Sequence, residues 1–248
     1  MRSILKIAVP ALYVLVASLT FVRGGAQASP SDGGTLPDTE VLWRLVQTAE
    51  CSPTAKPCFE RNREKGYVVI KDVKGPNQLL LLPTARVAGI DDPKLWSVDA
   101  MNLFAQAWAA RKWSPPLQSS DSGKVSLALN SYVSRSQDQL HIHIDCLDQN
   151  VQALLREEWS TIGHRWKRMS RPLKGHTYFA RRINSLETES PLRLLQNMGI
   201  KEEDMGRWTL VVAGAPKGSS EFILLSDRSN GKDDWAWGEE LQDHSCSE

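Results

Sequence analysis

Positions 137–146 read Gln-Asp-Gln-Leu-His-Ile-His-Ile-Asp-Cys, and from Gln139 on polar and apolar residues alternate strictly. A period of two predicts a strand, because successive side chains leave opposite faces. Leu140, Ile142 and Ile144 then line one face, and His141, His143 and Asp145 line the other. A second run of this kind covers 124–130, and the connection 131–136 makes the two a hairpin. Apolar positions 41, 42, 45, 46 and 49 follow the helical period instead, predicting a helix from Asp38 to about Glu50. Residues 66–71 and 78–82 read as strands around a turn at 74–77. Asp92-Pro93 is a cap and first-turn pair for a helix over 94–113, with Trp96, Ala100, Leu103, Phe104, Ala107 and Trp108 on its apolar face. Further on, the pattern predicts a helix over 149–161, a strand over 177–183 and a short helix opening at Ser190-Pro191. A hairpin from 208–213 and 221–225 follows. Strands joined by short turns are antiparallel, so the fold class is α+β, an antiparallel sheet with flanking helices.

The N-terminus has a different pattern. Residues 7–22 are free of charge, and counted from Ile4 the apolar run is just long enough to span a bilayer. Ala26-Gln27-Ala28 has the form of a signal-cleavage site. The run exceeds the usual signal core, however, and Arg23 lies between it and that site. The expectation is one uncleaved N-terminal transmembrane helix within an anchor over residues 1–28. A Ser, Gly and Pro-rich linker over 29–37 and one domain over 38–248 follow. Positive charge ahead of the span places that domain on the exported side.

Charge and cysteine content narrow the picture further. Residues 1–28 hold three of the thirty Lys and Arg and none of the twenty-nine acids, so the rest carries a net charge of −2. A general nucleic-acid binder needs a basic field, and this domain has none. Four cysteines in an exported chain suggest two disulfides. Cys51 and Cys58 flank a Pro-containing loop, which favours a local bridge and leaves Cys146 to pair with Cys246; three pairings are open in principle. No Cys-x-x-Cys spacing points to zinc.

Three kinds of chemistry fit the histidine face. Side chains at i, i+2 and i+4 of one strand rarely converge on one ion, since the outer pair is about 13 Å apart; a metal-dependent phosphohydrolase built on His141, His143 and Asp145 is therefore a rival reading. A non-catalytic exported module binding lipid or nucleotide is another. The third is nucleophilic catalysis, in which a neutral imidazole forms a covalent bond to phosphorus while neighbours hold the phosphate oxygens.

Asn130, Gln137 and His141-Ile142-His143-Ile144 resemble the histidine-triad (HIT) superfamily, with its Asn eleven residues and its Gln four residues before a His-φ-His-φ motif. Asp145 stands where that family usually has a third His. The resemblance implies a HIT-like fold with His143 as nucleophile and His141 as an orienting, phosphate-contacting partner. Asn130 and Gln137 become phosphate-side donors, Asp145 stays with the substrate-binding group, and Asp72, near a nucleoside-holding hairpin, becomes a candidate for the ribose hydroxyls. Longer segments are similar to the bacterial CDP-diacylglycerol pyrophosphatase (CDP-diglyceride hydrolase) family. They include Gly66-Tyr67-Val68-Val69-Ile70-Lys71-Asp72, Gly175-His176, Ala180-Arg181-Arg182 and Gln242-Asp243-His244-x-Cys246. That resemblance implies cleavage of a liponucleotide, CDP-diacylglycerol, to CMP and phosphatidate. It also implies no cofactor and an enzyme of the bacterial inner membrane with its domain in the periplasm. Oligomeric state stays open. Residues 163–174, with five Lys or Arg around Trp166 and Met169, are expected to rest on anionic headgroups, to face the pyrophosphate or to form a solvated loop. One of Arg181 and Arg182 is a candidate phosphate contact.

Overall fold

The computed structural model describes residues 38–54, 56–96, 102–216 and 219–246. Among them ten strands form one sheet: β1 (Cys58–Asn62), β2 (Tyr67–Lys71), β3 (Leu79–Pro83), β4 (Val125–Leu129), β5 (Ile142–Leu147), β6 (Lys167–Arg168), β7 (Phe179–Ile183), β8 (Leu210–Gly214), β9 (Phe222–Ser226) and β10 (Gln242–Asp243). Every pairing of these strands is antiparallel, in the order β1-β2-β3-β5-β4-β8-β9-β7-β6, with β10 beside the end of β5. The helices are α1 (Val41–Thr48), α2 (Leu103–Ala109), α3 (Gln149–Glu157) and α4 (Pro191–Gln196). An α+β fold with an antiparallel sheet is therefore present. No helix of the described residues is long and apolar enough to cross a membrane. The expected transmembrane helix lies outside the described residues.

Two expected elements differ. The helix over 94–113 is a 3₁₀ turn at Pro93–Trp96, then α2, then a 3₁₀ turn at Ala110–Trp113. α2 starts late because the Asn102 side chain caps it, accepting from Ala105 N; positions 97–101 are outside the described residues. The histidine strand begins at Ile142, not at 137. Residues 137–141 spend their backbone groups elsewhere: Asp138 N donates to Thr39 O and Leu140 N to Val87 O. The hairpin of β4 and β5 survives with a longer connection.

Register decides what lies on each face. Ile142 and Ile144 share one face with Leu79, Leu81, Leu127, Leu129, Val212 and Leu224, all buried against α2 and α4. Each such fully buried side chain contributes about 1.5–3 kcal/mol. On the other face, Leu80, His143, Ala128, Val211 and Leu225 pair across five strands. Leu80 belongs to an apolar cluster over β2 and β3 that buries Val46 of α1. Ala128, Val211 and Leu225 belong to a second cluster, covered by Val151 and Leu155 of α3. His143 sits between the two clusters, where no apolar cover continues.

Both disulfides follow the favoured pairing, Cys51–Cys58 and Cys146–Cys246.

Candidate active site

The gap between the two apolar clusters is a cavity of about 500 Å³. Its floor carries His141 and His143, buried at 6% and 4% exposure, with ring centroids 4.7 Å apart in an edge-on arrangement. Asp72, Lys74, Asn130, Gln137 and Glu239 also line it, while Leu42, Leu45, Ile70 and Leu80 give one apolar wall. His141, His143, Asn130, Gln137 and Asp72 thus border one space. Asp145 does not line it: that carboxylate is fully buried farther along β5, where His244 Nδ1 lies 2.8 Å from Oδ2. The set His141, His143 and Asp145 is therefore not gathered around one point, as strand geometry requires.

Glu239, which no spacing in the sequence connects to the histidines, is the acidic partner of the site. Its Oε1 lies 3.0 Å from His143 Nδ1, and Asp72 Oδ2 lies 3.7 Å from the same nitrogen. Four other groups hold Glu239. Asn130 Nδ2 donates to Oε2 at 2.8 Å and Trp237 Nε1 at 3.0 Å, while Lys74 Nζ and Gln78 Nε2 reach Oε1 at 3.3 Å. Burial works to raise the Glu239 carboxyl, but attraction to positive charge on the His143 ring, the Trp237 and Asn130 donors and the Lys74 charge outweigh it and hold the group at about 2. Glu239 is thus an ionised acceptor. A carboxylate only accepts, so in the neutral His143 ring the proton belongs on Nδ1 and the lone pair on Nε2. Nε2 is buried and without a hydrogen-bond partner.

His141 is fixed by its own backbone. Its Nδ1 donates to Gln139 O at 2.7 Å. Burial, then the neighbouring His143 charge, push its pKa down to about 4, so the ring is neutral near pH 7. Gln137 turns partly away from the cavity: its Oε1 accepts from Leu42 N at 3.0 Å and its Nε2 donates to Asp38 O at 2.9 Å, fastening the start of α1. Asn130 is occupied with Glu239 in a two-way bond, since Glu239 N also donates to Asn130 Oδ1. One atom each of Asp72, His143 and Glu239 lie within 4.8 Å of one another, a donor set able to hold a divalent cation.

The basic stretch 163–174 and the arginine pair lie elsewhere. None of them lines the cavity, and β6, inside that stretch, is an edge strand at the far end of the sheet from β1. Arg181 lies over Trp166, and Arg182 lies over Trp159 and 3.6 Å from Glu221.

Residues 37–248 match the family model described as CDP-diacylglycerol pyrophosphatase. The chain is also 37% identical over 224 residues to a Yersinia pestis protein named CDP-diacylglycerol pyrophosphatase, with 84% of each chain covered.

Proposed function

The chain belongs to the CDP-diacylglycerol pyrophosphatase family and is a hydrolase of that kind, and from this premise we propose that it cleaves CDP-diacylglycerol to CMP and phosphatidate through a cytidylyl-histidine on His143. One observation carries the mechanism: His143, which lines the cavity with Asn130 and Asp72, has its Nδ1 against an ionised Glu239 and its Nε2 buried without a hydrogen-bond partner.

Nε2 attacks the phosphorus bonded to the cytidine, and the bond from that phosphorus to the bridging oxygen breaks, releasing phosphatidate. Attack makes the ring cationic. Glu239, 3.0 Å from Nδ1, stabilises that charge without taking the proton, as an acid that holds an imidazole in place does. Water then attacks the same phosphorus, giving it a hydroxyl and releasing a proton to solvent; the phosphorus–nitrogen bond breaks, and His143 returns with its lone pair while CMP leaves. Lys74, half-exposed at the mouth, supplies positive charge for the phosphate oxygens. His141 stays neutral and accepts through Nε2. The HIT-like reading of the domain rests on this use of the His-φ-His strand. The single-pass anchor and the periplasmic, inner-membrane location belong to the same proposal. A membrane-tethered domain meets a lipid-linked substrate without leaving the surface that holds it.

A second reading has a specific observation behind it. The Nδ1 donation to Gln139 leaves His141 Nε2 with a lone pair too, and burial keeps that ring neutral. The test is a rapid quench with substrate labelled at the cytidine-bound phosphorus, followed by peptide mapping. Acid-labile label on residue 143 is the expected outcome. Label on 141 transfers the nucleophile's role, and no label on either histidine during turnover sinks the covalent scheme.

A further inference from the structure

The described residues expose six large hydrophobic side chains: Val41, Val73, Tyr132, Val133, Trp235 and Trp237. Scattered singly, exposed apolar residues carry no information. These are not scattered. Val41, Val73 and Trp237 line the catalytic cavity itself. Tyr132 and Val133 lie in the connection that also supplies Asn130, Ser134, Ser136 and Gln137 to the cavity. Trp235 and Trp237 belong to the segment leading to Glu239, and Ser131 and Ser134 tie the two segments together. Ser131 Oγ donates to Trp235 O at 2.6 Å, and Ser134 Oγ donates to Ala236 O at 3.2 Å. Every exposed large hydrophobic side chain of the described residues therefore stands on a segment that forms the mouth. Val73, 99% exposed at the tip of the β2–β3 turn, touches almost nothing of its own chain.

We propose that this rim is the surface by which the domain seats on a lipid bilayer, with the cavity mouth facing the headgroups. The inference rests on the liponucleotide reading of the site and adds where the lipid is met. A cavity of about 500 Å³ is of the size that takes a small molecule. It has no room for a nucleotide together with two long acyl chains. Drawing those chains into water is opposed by all of their apolar surface, so they stay in the bilayer and the mouth comes to them. The apolar wall of Leu42, Leu45, Ile70 and Leu80 receives only the chain segments next to the glycerol. Two tryptophans and a tyrosine on the rim suit the bilayer–water boundary, where amphipathic rings sit at headgroup level. Lys74, 5.7 Å from the centroid of the Trp237 ring, sets a cation beside the aromatic rim where anionic phosphates would lie. The basic stretch 163–174, at the opposite end of the sheet, is displaced from this role.

The test uses the full chain and a Tyr132→Ser/Trp235→Ser variant, whose positions do not line the cavity. Hydrolysis is measured on long-chain CDP-diacylglycerol in phosphatidylcholine–phosphatidylglycerol vesicles and on a monomeric short-chain CDP-diacylglycerol. The expected result is a fall of at least tenfold in kcat/KM on vesicles, with less than a twofold change on the monomeric substrate, which also reports correct folding. A parallel loss on both substrates, or no loss on vesicles, overturns the proposal. Vesicles of brominated phosphatidylcholine give a readout independent of turnover: they should quench the wild-type tryptophan emission more than the variant's, and equal quenching counts against docking. Failure of the wild type to cleave either substrate while quenching persists removes the catalytic reading and leaves the surface.

Discussion

At the scale of single residues, one carboxylate decides what the histidine pair can do. A His143 ring with no acidic neighbour would distribute its proton between both nitrogens, and only one tautomer is a nucleophile at Nε2. Glu239 fixes that choice at 3.0 Å and is itself kept ionised by Trp237, Lys74 and Asn130. Glu239→Gln keeps the shape and removes the charge. It should lower kcat by roughly 100-fold or more, since loss of the acid behind a catalytic histidine costs up to about 10⁴, and should change KM much less. A wild-type kcat in that variant would remove Glu239 from the mechanism. A second acid acts on stability alone. Asp227 is 5% exposed with Oδ2 unpartnered, and burial pushes its pKa up to about 7. A raised carboxyl pKa means that the folded state keeps a proton which the unfolded state loses above its ordinary value of 3.8. That contribution is complete below 3.8 and gone once the pH passes about 7, so stability from this residue falls as pH rises. Asp227→Asn has no such slope. Its Tm, relative to wild type, should rise by at least about 3 °C between pH 5 and pH 8, measured by thermal unfolding in both buffers; a constant difference would show that Asp227 titrates normally.

At the scale of elements, the short segment between β9 and β10 turns an ordinary sheet face into a site. The 3₁₀ turn Gly238–Leu241 lies directly on the sheet. A Cβ at Gly238 would stand 2.6 Å from Thr209 Oγ1, 2.8 Å from Val211 Cγ2 and 3.4 Å from Ala128 Cβ. Only a residue without a side chain lets the backbone approach closely enough for Glu239 to reach His143. Gly238→Ala must lift the segment, and because displacements of about 1 Å can cost 10²-fold in rate, kcat should fall at least about tenfold with the sheet intact by circular dichroism. Unchanged kcat would mean that the segment has slack. This element also marks where reading the sequence stops. The alternation around Ile142 and Ile144 is strong because one face is wholly buried, and the two histidines on the opposite face were legible from it. So were α1, β2, β3 and the β4–β5 hairpin, where apolar periodicity matches burial. Glu239 was not, because it lies in a turn with no periodicity, and its partnership with His143 arises from contacts 96 positions apart in the chain. The expected bridge from Cys146 to Cys246 indicated that the tail returns to the histidine strand, but not which tail residue faces the ring. The start of that strand was misjudged for a related reason. Alternation sets in only at Gln139-Leu140, and Asp138 N and Leu140 N bond to Thr39 O and Val87 O instead of to a sheet neighbour.

At the scale of the whole molecule, the site exists because two apolar covers stop short of each other and the C-terminal tail closes over part of the gap. α1 is held against β2 and β3 by its own cluster and α3 against β8 and β9 by another, and neither apolar cover extends over His143 of β5. β10 pairs with the end of β5, Gln242 opposite Leu147 and Asp243 opposite Cys146, and Gln242 Nε2 donates to His143 O at 3.3 Å. The Cys146–Cys246 bridge, spanning 100 positions, clamps this arrangement, whereas Cys51–Cys58 closes a loop of 7. Loop-closure entropy alone gives about 4.7 kcal/mol for a loop of that longer size and roughly 2.5 kcal/mol for the shorter one. The two bridges should therefore separate in two measurements. Replacing Cys146 and Cys246 together by Ser should lower Tm more than replacing Cys51 and Cys58. It should also lower kcat, although neither cysteine lines the cavity, because the freed tail no longer holds Glu239 and Gln242 against β5. The Cys51 and Cys58 double variant should lose stability while keeping kcat within about twofold, since its loop carries none of the residues bonded to His143. Equal losses of kcat in the two variants would show that the clamp on the tail does not position the site.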